Sequence, residues 1–416
     1  MMMKKIIFTF LLVTAFFCSY ADSWIQRSSI TGVRDGAVGF SIGTKGYIGT
    51  GYNSGLNQWY QDFWEWDQAN NVWTQKSDFA GGNRAGAVGF SIGTRGYIGL
   101  GLAPALMNDF WEWDQATNIW TQKVNYAGNS RTGAVAFSIG TKGYIGTGST
   151  NGTAAGLVTE FWEWEGDTSA ITYNTWTQKS DFAGAARAGA SGFSIGNKGY
   201  IGTGSTDGTT AGGTRDFWEW DQSSNAWSQK ADFGGMERGA AAAFTIGKKG
   251  YIGTGAIILG PNVKDFWEWD GDTTSITYNT WTQKADFGGP HRSLATGFSI
   301  SSKGYIGMGF FFTVSTNDFW EYCDTCAGVG IGEINNSTGI SVLSNPVSDK
   351  LKISVDKNYK NLKIAIHNTM GQKVFERALR NINILLEIDV SKYSRGIYFL
   401  KLDDGNSCHT AKVLLE

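Results

Sequence analysis

The amino-acid sequence predicts an all-β protein, in which a large repeated domain closes into a ring and a small β-sandwich follows it. Three observations support this prediction. The peptide DFWEWD at Asp62–Asp67 occurs in six similar copies along the chain. Each copy lies in a unit of about 50 residues that divides into short alternating segments. The chain has 57 Gly and only 4 Pro, which favours tight turns between strands over disordered linkers.

Each repeat unit predicts four antiparallel strands, which we name a to d in chain order. In the second unit, Arg84 opens a run of small residues, and Tyr97-Ile98-Gly99 follows after a turn that contains Gly. A DFWEW segment and a segment of the type Val72–Gln75 come third and fourth. Each segment alternates in side-chain character and ends at Gly, Asn or Asp, as antiparallel strands do. Four strands at this period are typical of a β-propeller blade.

Counting the strands predicts six blades and the way in which the ring closes. Six copies of strands a, b and c are present, but the six copies of strand d are displaced by one unit. The first d segment, Ser23–Arg27, stands alone before the first unit, and none follows the sixth unit, which ends at Tyr322. We therefore expect Ser23–Arg27 to complete the sixth blade and to close a propeller over residues 22–326.

The repeat units resemble kelch repeats, which form the galactose-oxidase-like β-propellers. The matching elements are Gly46-Tyr47-Ile48-Gly49, Trp66-Asp67 and Asn71-Val72-Trp73. The family's Gly-Gly after strand b is Gly-x-Gly here, which alters one turn. The resemblance covers the whole repeat region and implies that ligands bind on the face formed by the b–c and d–a loops. Copper radical chemistry is disfavoured, because it needs two His ligands and residues 22–326 contain only His291.

An arginine at the start of strand a and a glutamate within strand c recur in every unit, and we predict that they form a structural ring of ion pairs. A buried carboxylate without a partner is costly, so each glutamate is expected to pair with an arginine, or both to bind backbone groups. The alternative is that the arginines bind an anion at the channel mouth. The residues are Arg34, Arg84, Arg131, Arg187, Arg238, Arg292, Glu65, Glu112, Glu163, Glu219, Glu268 and Glu321.

Function is expected where the six copies differ, because a repeated feature serves the scaffold by default. Trp59 is the only one of 18 tryptophans outside strands c and d, and with Tyr60 it is a candidate to contact a sugar or a protein. His291 interrupts a d–a loop, and Phe311 lies in the apolar run Phe310–Phe312 of a b–c loop. The alternatives are that Trp59 covers its own blade and that the phenylalanines pack against the next domain.

No metal site and no cofactor is predicted. The acidic pairs Asp270/Asp272 and Glu165/Asp167 offer oxygen ligands for Ca²⁺, but Asp and Gly are ordinary residues of c–d turns. Catalysis stays uncertain, because a pair of catalytic carboxylates cannot be recognised from sequence. Cys323 and Cys326 are predicted to form a disulfide, which an exported chain favours over a redox pair.

Residues 1–21 are predicted to be a cleaved signal peptide. Lys4 and Lys5 precede the apolar run from Ile6 to Phe17, and the small residues that follow place Asp22 at the start of the mature chain. The run is too short for a permanent anchor, so no transmembrane segment is expected after cleavage; a lipid anchor at Cys18 is the alternative. The net charge of −2 gives no reason to expect nucleic acid as a partner.

A change in composition after Cys326 predicts a linker over residues 327–338 and a second domain over residues 339–416. The second domain alternates Ile, Leu and Val with Lys, as half-buried strands do, which favours a small Ig-like β-sandwich. It resembles the type A C-terminal sorting domain of the Bacteroidetes type IX secretion system, although Ser344 replaces the family's usual Pro. The matching segments are Ser344–Val347, Asn368–Val374, Asp389–Ser391 and Gly396–Tyr398. The resemblance implies the type IX machinery as a partner and a secreted or outer-surface location.

These patterns together predict a binding protein at the cell surface. Its ligand is expected to be a glycan or a protein, recognised through the b–c and d–a loop face. The two alternative functions are an extracellular carbohydrate-active enzyme on the same scaffold and a purely structural surface protein.

Overall fold

The computed structural model divides the chain into two compact units, of which the first is Asp22–Asp324. The predicted signal peptide, the predicted linker and Cys326 lie outside the residues that the structure describes. The described ranges are 22–208, 212–257, 260–324, 340–342, 347–355, 359–368, 372–382, 385–403 and 408–415.

The first unit is a β-propeller of six four-stranded antiparallel sheets, each with the order a-b-c-d. The a strands are Val38–Ile42, Val88–Ile92, Val135–Ile139, Ser191–Ile195, Ala242–Ile246 and Thr296–Ile300. The b strands are Lys45–Gly49, Arg95–Gly99, Lys142–Gly146, Lys198–Gly202, Lys249–Gly253 and Lys303–Gly307. The c strands are Phe63–Asp67, Phe110–Asp114, Phe161–Glu165, Phe217–Asp221, Phe266–Asp270 and Phe319–Cys323. The d strands are Val72–Gln75, Ile119–Gln122, Trp176–Gln178, Ala226–Gln229, Trp281–Lys284 and, for the sixth blade, Ser23–Arg27.

The N-terminal strand closes the sixth blade. Ser23–Arg27 pairs antiparallel with Phe319–Cys323, so that Trp24 lies opposite Tyr322. The six a strands contact one another in order, and the sixth contacts the first. In a closed ring every a strand lies between two neighbouring a strands, so no junction between blades is left open. The predicted six blades and the predicted closure are both confirmed.

The same pair of hydrogen bonds joins each blade to the next, and the closure uses it as well. Between the first two blades, Trp120 Nε1 donates to the carbonyl of Ser77 (3.1 Å), and Asn118 accepts the Ser77 N–H (3.1 Å). At the closure, Trp24 donates to the carbonyl of Ala285 (3.2 Å), and Asp22 accepts the Ala285 N–H (2.6 Å). The first residue of the predicted mature chain therefore takes the place of the repeated asparagine.

The tryptophans of the c strands fill the wedges between blades. In DFWEWD the strand period of two places Phe63 and Glu65 on one face and Trp66 on the other. Trp66 is fully buried and lies 4.9 Å from the ring of Tyr305 and 5.0 Å from that of Phe319, both in the preceding blade. Equivalent contacts recur around the ring, so the repeated peptide is explained by core packing.

The a strands surround a central channel of about 160 Å³ that is lined by small side chains. Six residues just before these strands close a circle of backbone hydrogen bonds at the end of the channel that faces the d–a loops. Each N–H donates to the carbonyl of its equivalent in the preceding blade, at 2.7–3.2 Å. All six have φ between +54° and +64°, where glycine is favoured. We call this circle the mouth ring, and its members are Gly36, Gly86, Gly133, Gly189, Ala240 and Leu294.

The b–c loops contain short paired strands and one short helix. In the first blade Tyr52–Asn53 pairs with Gln58–Trp59, and in the sixth Phe310–Phe311 pairs with Val314–Ser315. In the fifth blade Ala256–Ile257 pairs with Arg238–Gly239. The third b–c loop contains the 3-10 helix Ala154–Gly156.

The second unit is a small β-sandwich, as the sequence predicts. One sheet is formed by Ile340–Val342, Lys350–Val355 and Leu385–Asp389. The other has the order Lys373–Ile382, Tyr359–Asn368, Gly396–Asp403 and Cys408–Leu415. Leu351 and Ile388 of the first sheet and Ile364 and Leu400 of the second share one buried core. Within the described ranges of the chain, the structure has no helix that is long and apolar enough to cross a membrane.

Candidate functional site

The arginines of the repeat are buried and bind the first residue of the DFWEWD peptide. Arg34 is 0 % exposed and donates two hydrogen bonds to Asp62, at 2.6 and 2.7 Å, and a third to the carbonyl of Thr50 at 3.1 Å. A two-pronged arginine–carboxylate pair of this kind fixes geometry as well as charge. The other pairs are Arg84–Asp109, Arg131–Glu160, Arg187–Asp216, Arg238–Asp265 and Arg292–Asp318.

The predicted pairing of these arginines with the central glutamates is wrong. Glu163 instead accepts hydrogen bonds from Tyr144 (2.8 Å) and Lys142 (2.7 Å), and Lys179 lies 3.3 Å away. The reason is register, since Glu163 lies directly opposite Tyr144 on the adjacent b strand. Burial acts to raise the pKa of Glu163, but the hydrogen bonds from Lys142 and Tyr144 outweigh it and hold the pKa below its usual range.

All six central glutamates follow this pattern, within their own blades. Each accepts a hydrogen bond from the tyrosine of its b strand, and each lies within 4 Å of at least one Lys or Arg. The sixth uses the closing strand, because Arg27 donates to Glu321 at 2.8 and 3.0 Å. The glutamates are Glu65, Glu112, Glu163, Glu219, Glu268 and Glu321. Both sets of ion pairs therefore belong to the scaffold.

Two of the candidate ligand-binding residues come together in the sixth blade. The His291 ring lies 4.9 Å from the ring of Phe311 and 4.9 Å from that of Phe312, and the two phenylalanine rings are 4.5 Å apart. Nδ1 of His291 is buried and has no hydrogen-bond partner among the described residues. The d–a loop and the b–c loop of this blade thus build one aromatic cluster.

The other two candidates lie in the b–c loop of the first blade. Trp59 packs against Tyr52, with ring centres 4.7 Å apart, and it stays partly exposed. Tyr60 covers the guanidinium of Arg34 at 4.5 Å, and its hydroxyl accepts a hydrogen bond from Asn53 at 3.3 Å. Trp59 is therefore available at the surface, whereas Tyr60 stabilises the buried ion pair beneath it.

Hydrogen bonds join the b–c loops of the sixth and first blades. Ser315 Oγ donates to Asp35 at 2.7 Å, and it accepts the backbone N–H of Ser54 at 3.0 Å. No cation among the described residues forms an ion pair with Asp35. Burial raises the pKa of Asp35, and the hydrogen bond from Ser315 opposes that rise only in part. Burial of this carboxylate costs free energy because it removes hydrating water, and one hydrogen bond from a hydroxyl group offsets only part of that cost.

Asp35 was missed by the sequence analysis, although a signal for it was present. It is the only acidic residue that directly follows a repeat arginine. The equivalent residues are Ala85, Thr132, Ala188, Gly239 and Ser293.

The same junction exposes four large apolar side chains, which we call the loop patch. They are Leu56, Leu294, Phe312 and Val314, with exposures of 72, 43, 68 and 49 %. Leu294 belongs to the mouth ring and has φ +55°, and Phe312 has φ +52°. Leu294 was not predicted as a site residue, although its sequence signal is a large side chain at a position where four of the six units have Gly.

The acidic residues of the c–d turns accept hydrogen bonds from the backbone of the same turns. Asp270 accepts the N–H of Asp272 at 2.9 Å, while Asp272 accepts the N–H of Thr274 and the ammonium group of Lys248, both at 3.0 Å. The part of the chain that the structure describes contains no group of three or more His, Cys, Asp and Glu residues placed to hold a metal ion. Cys323 is disulfide-bonded.

Comparison with known proteins identifies the sorting domain in the second unit, and for the propeller it shows a likeness of fold. Residues 341–416 match the family model of the secretion system C-terminal sorting domain, which confirms the sorting domain and indicates a secreted or outer-surface protein. Among solved structures, the chain is similar to the β-propeller reported as "Structure of YjhT", with a TM-score of 0.58 and 16 % identity over 70 % of this chain and 95 % of that one. At that identity the likeness shows the fold alone. No curated protein matches this chain.

Proposed function

We propose that this exported protein is a binding protein, and that its propeller is of kelch type and recognises a protein or a glycan through the face of its b–c and d–a loops. One observation carries the proposal. The strands, the ion pairs and the aromatic core recur in every blade, whereas the cluster of His291 with Phe311, the exposed Trp59 and the loop patch each occur once, in the sixth and first blades.

These features lie outside the four strands, the ion pairs and the aromatic core that every blade shares. Large apolar side chains that stay exposed gain little from burial in the free protein, and exposed apolar patches are typical of surfaces that bind a partner. Aromatic residues at such a patch supply much of the binding energy in protein interfaces and also stack on sugar rings. Loops on a rigid scaffold hold such residues in place before the ligand arrives.

The test is a binding screen of the purified full chain against a glycan array and a displayed peptide library. We expect Trp59→Ala and His291→Ala each to weaken the binding of any ligand found by about tenfold or more. Ile171→Ala is the matched control, because Ile171 is a fully exposed side chain in a c–d loop, away from the b–c and d–a loops. Binding that survives both loop variants, or that is lost in the control, contradicts the proposal.

A carbohydrate-active enzyme is the second candidate function, and Asp35 is the observation that favours it. Asp35 is a buried carboxyl group whose pKa is raised by burial, and a carboxyl group with a raised pKa is the kind of group that serves as a general acid. Hydrolysis of a polysaccharide by the wild type that Asp35→Asn abolishes, with ligand binding retained, favours this function over binding alone. Absence of turnover on a panel of polysaccharides removes it.

A further inference from the structure

We infer that Asn151, in the b–c loop of the third blade, is a modification site that loses its side-chain amide by deamidation in the folded protein. The product is a carboxylate on the same loop. Asn151 and Gly152 form the only Asn-Gly pair in the sequence. Glycine has no side chain to hinder attack by its backbone nitrogen on the neighbouring amide carbon. This inference does not depend on the proposed function, because it concerns the chemistry of the chain itself.

The reaction needs only groups of the chain and solvent water. The nitrogen of Gly152 loses its proton and forms a bond to Cγ of Asn151. The bond from Cγ to Nδ2 then breaks, and the nitrogen leaves as ammonia, so that a succinimide ring remains. Water opens this ring at either of its carbonyl groups and gives aspartate or isoaspartate. The net change converts an amide and water into a carboxyl group and ammonia, with no oxidation or reduction.

The hydrogen bonds of the loop favour this reaction. Oδ1 of Asn151 accepts the N–H and the hydroxyl group of Thr153, both at 2.9 Å. Donors placed at this oxygen stabilise the negative charge that it gains during the attack. Among the described residues, neither Nδ2 of Asn151 nor the N–H of Gly152 has an acceptor. The leaving group and the attacking nitrogen are therefore not held by other bonds of the loop.

Water can reach the reacting pair. Asn151 and Gly152 are both exposed. Gly152 has φ +74°, and no atom lies within 4 Å of the position that a Cβ atom on it would occupy. The loop therefore admits the water molecule that completes the reaction.

The fourth blade shows that a carboxylate fits this loop. Its equivalent pair is Asp207-Gly208, and φ is +72° at Gly208 against +74° at Gly152. In both loops the serine two residues earlier donates its hydroxyl group to the side-chain oxygen, at 3.1 Å for Asp207 and 3.4 Å for Asn151. Deamidation to aspartate therefore gives the third loop the chemistry of the fourth, and it adds a negative charge to the face of the b–c loops.

The experiment is to hold the purified full chain in neutral buffer below its unfolding temperature and to map its peptides by mass spectrometry over time. We expect the peptide that contains Asn151 to gain the mass that accompanies replacement of an amide by a carboxyl group, and ion exchange to resolve a more acidic form. Asn57 is the internal control and should keep its amide. It is exposed in the first b–c loop, and its Oδ1 accepts the hydroxyl group of Tyr52, but Gln58 follows it.

Three variants test the mechanism. Asn151→Gln has a longer side chain that closes a ring much more slowly, so it should not produce the acidic form. Asn151→Asp should elute with the acidic form from the start and should melt as the wild type does, because the fourth loop already contains Asp207. Thr153→Ala removes one donor to Oδ1 and should slow the loss of the amide by about twofold to tenfold.

Other results overturn the inference. If Asn57 loses its amide as fast as Asn151, or if Asn151→Gln still produces the acidic form, the loop has no special reactivity. If the amide is lost only when the chain is unfolded in urea, or in neither condition, the folded loop protects Asn151 instead. A rate that Thr153→Ala leaves unchanged shows that the hydrogen bonds of the loop do not promote the reaction.

Discussion

The third and fourth blades differ from the junction of the sixth and first blades in what their b–c loops contact. In the third blade, Thr150 donates its N–H to the carbonyl of Gly156 at 2.8 Å, and in the fourth, Thr206 donates to that of Gly212 at 2.9 Å. Each of these loops closes on itself. At the junction the two loops also pair within themselves, but in addition they bond to each other through Ser54 and Ser315, and they expose apolar side chains. Residues that repeat stabilise the ring, and the proposed recognition surface consists of residues that break the repeat.

The largest expected effect comes from breaking a repeated feature. Arg84→Met leaves Asp109 without its cation, and we expect it to lower the free energy of unfolding by about 3–5 kcal/mol. Denaturant titration measures this change. Lys248→Met is the control, because it removes an exposed ion pair with Asp272 and should leave the denaturant midpoint almost unchanged. Equal effects of the two substitutions contradict a structural role for the buried pairs.

A second prediction compares two leucines that have positive φ. Leu100→Gly removes a completely buried side chain and should cost about 2–4 kcal/mol, because the cavity outweighs the relief of strain. Leu294→Gly removes a partly exposed side chain at nearly the same angle and should stabilise the protein by about 1 kcal/mol. Thermal unfolding of both variants checks the opposite signs. If both destabilise, Leu294 contributes to the scaffold.

A third prediction concerns the pH dependence of a repeated carboxylate. The folded-state pKa of Glu163 is lowered, so its contribution to stability is present above its unfolded pKa of about 4 and is lost as the pH falls through the folded value. Glu163→Gln should therefore cost about 1–2 kcal/mol at pH 7, and the cost should shrink as the pH falls and the folded-state carboxylate takes up a proton. Melting temperatures measured across this range test it, and a cost that does not change with pH shows that the charge of Glu163 is not responsible.

The smallest expected effect is a gain in stability, and it comes from replacing Asp35, the buried carboxylate that has no equivalent in the other blades. The folded-state pKa of Asp35 is raised, so its charged form opposes folding once the pH rises above its unfolded pKa, and this penalty disappears in acid. Asp35→Asn keeps an acceptor for Ser315, and we expect it to stabilise the protein by about 1 kcal/mol or less at pH 7. The same melting series measures it. A loss of stability at neutral pH shows that the carboxylate holds the junction.

The propeller was predictable because the order of the repeated segments along the chain determines the number of blades and the way in which the ring closes. The displaced d segment at Trp24 and the six aromatic peptides fix the number of blades, and the strand period places Trp66 in the core. The partner of each arginine was not predictable, because every unit contains two conserved acidic positions and only the b–c loop geometry brings Asp62 to Arg34. The junction between the sixth and first blades was not predictable for the same reason, since Ser315 contacts Asp35 from a loop 280 residues away.

The closing strand also determines when the propeller can finish folding. Ser23–Arg27 leaves a ribosome or a translocation channel first, yet its partner Phe319–Cys323 is the last strand of the ring to emerge. Until then the earliest strand of the exported chain has an unsatisfied edge, which is a hazard for aggregation. The sorting domain follows the last blade in the chain, so every strand of the propeller emerges before the segment that directs its export. A chain that stops before Phe319 therefore exposes unpaired strand edges, whereas one that reaches the sorting domain already contains every strand of the closed ring.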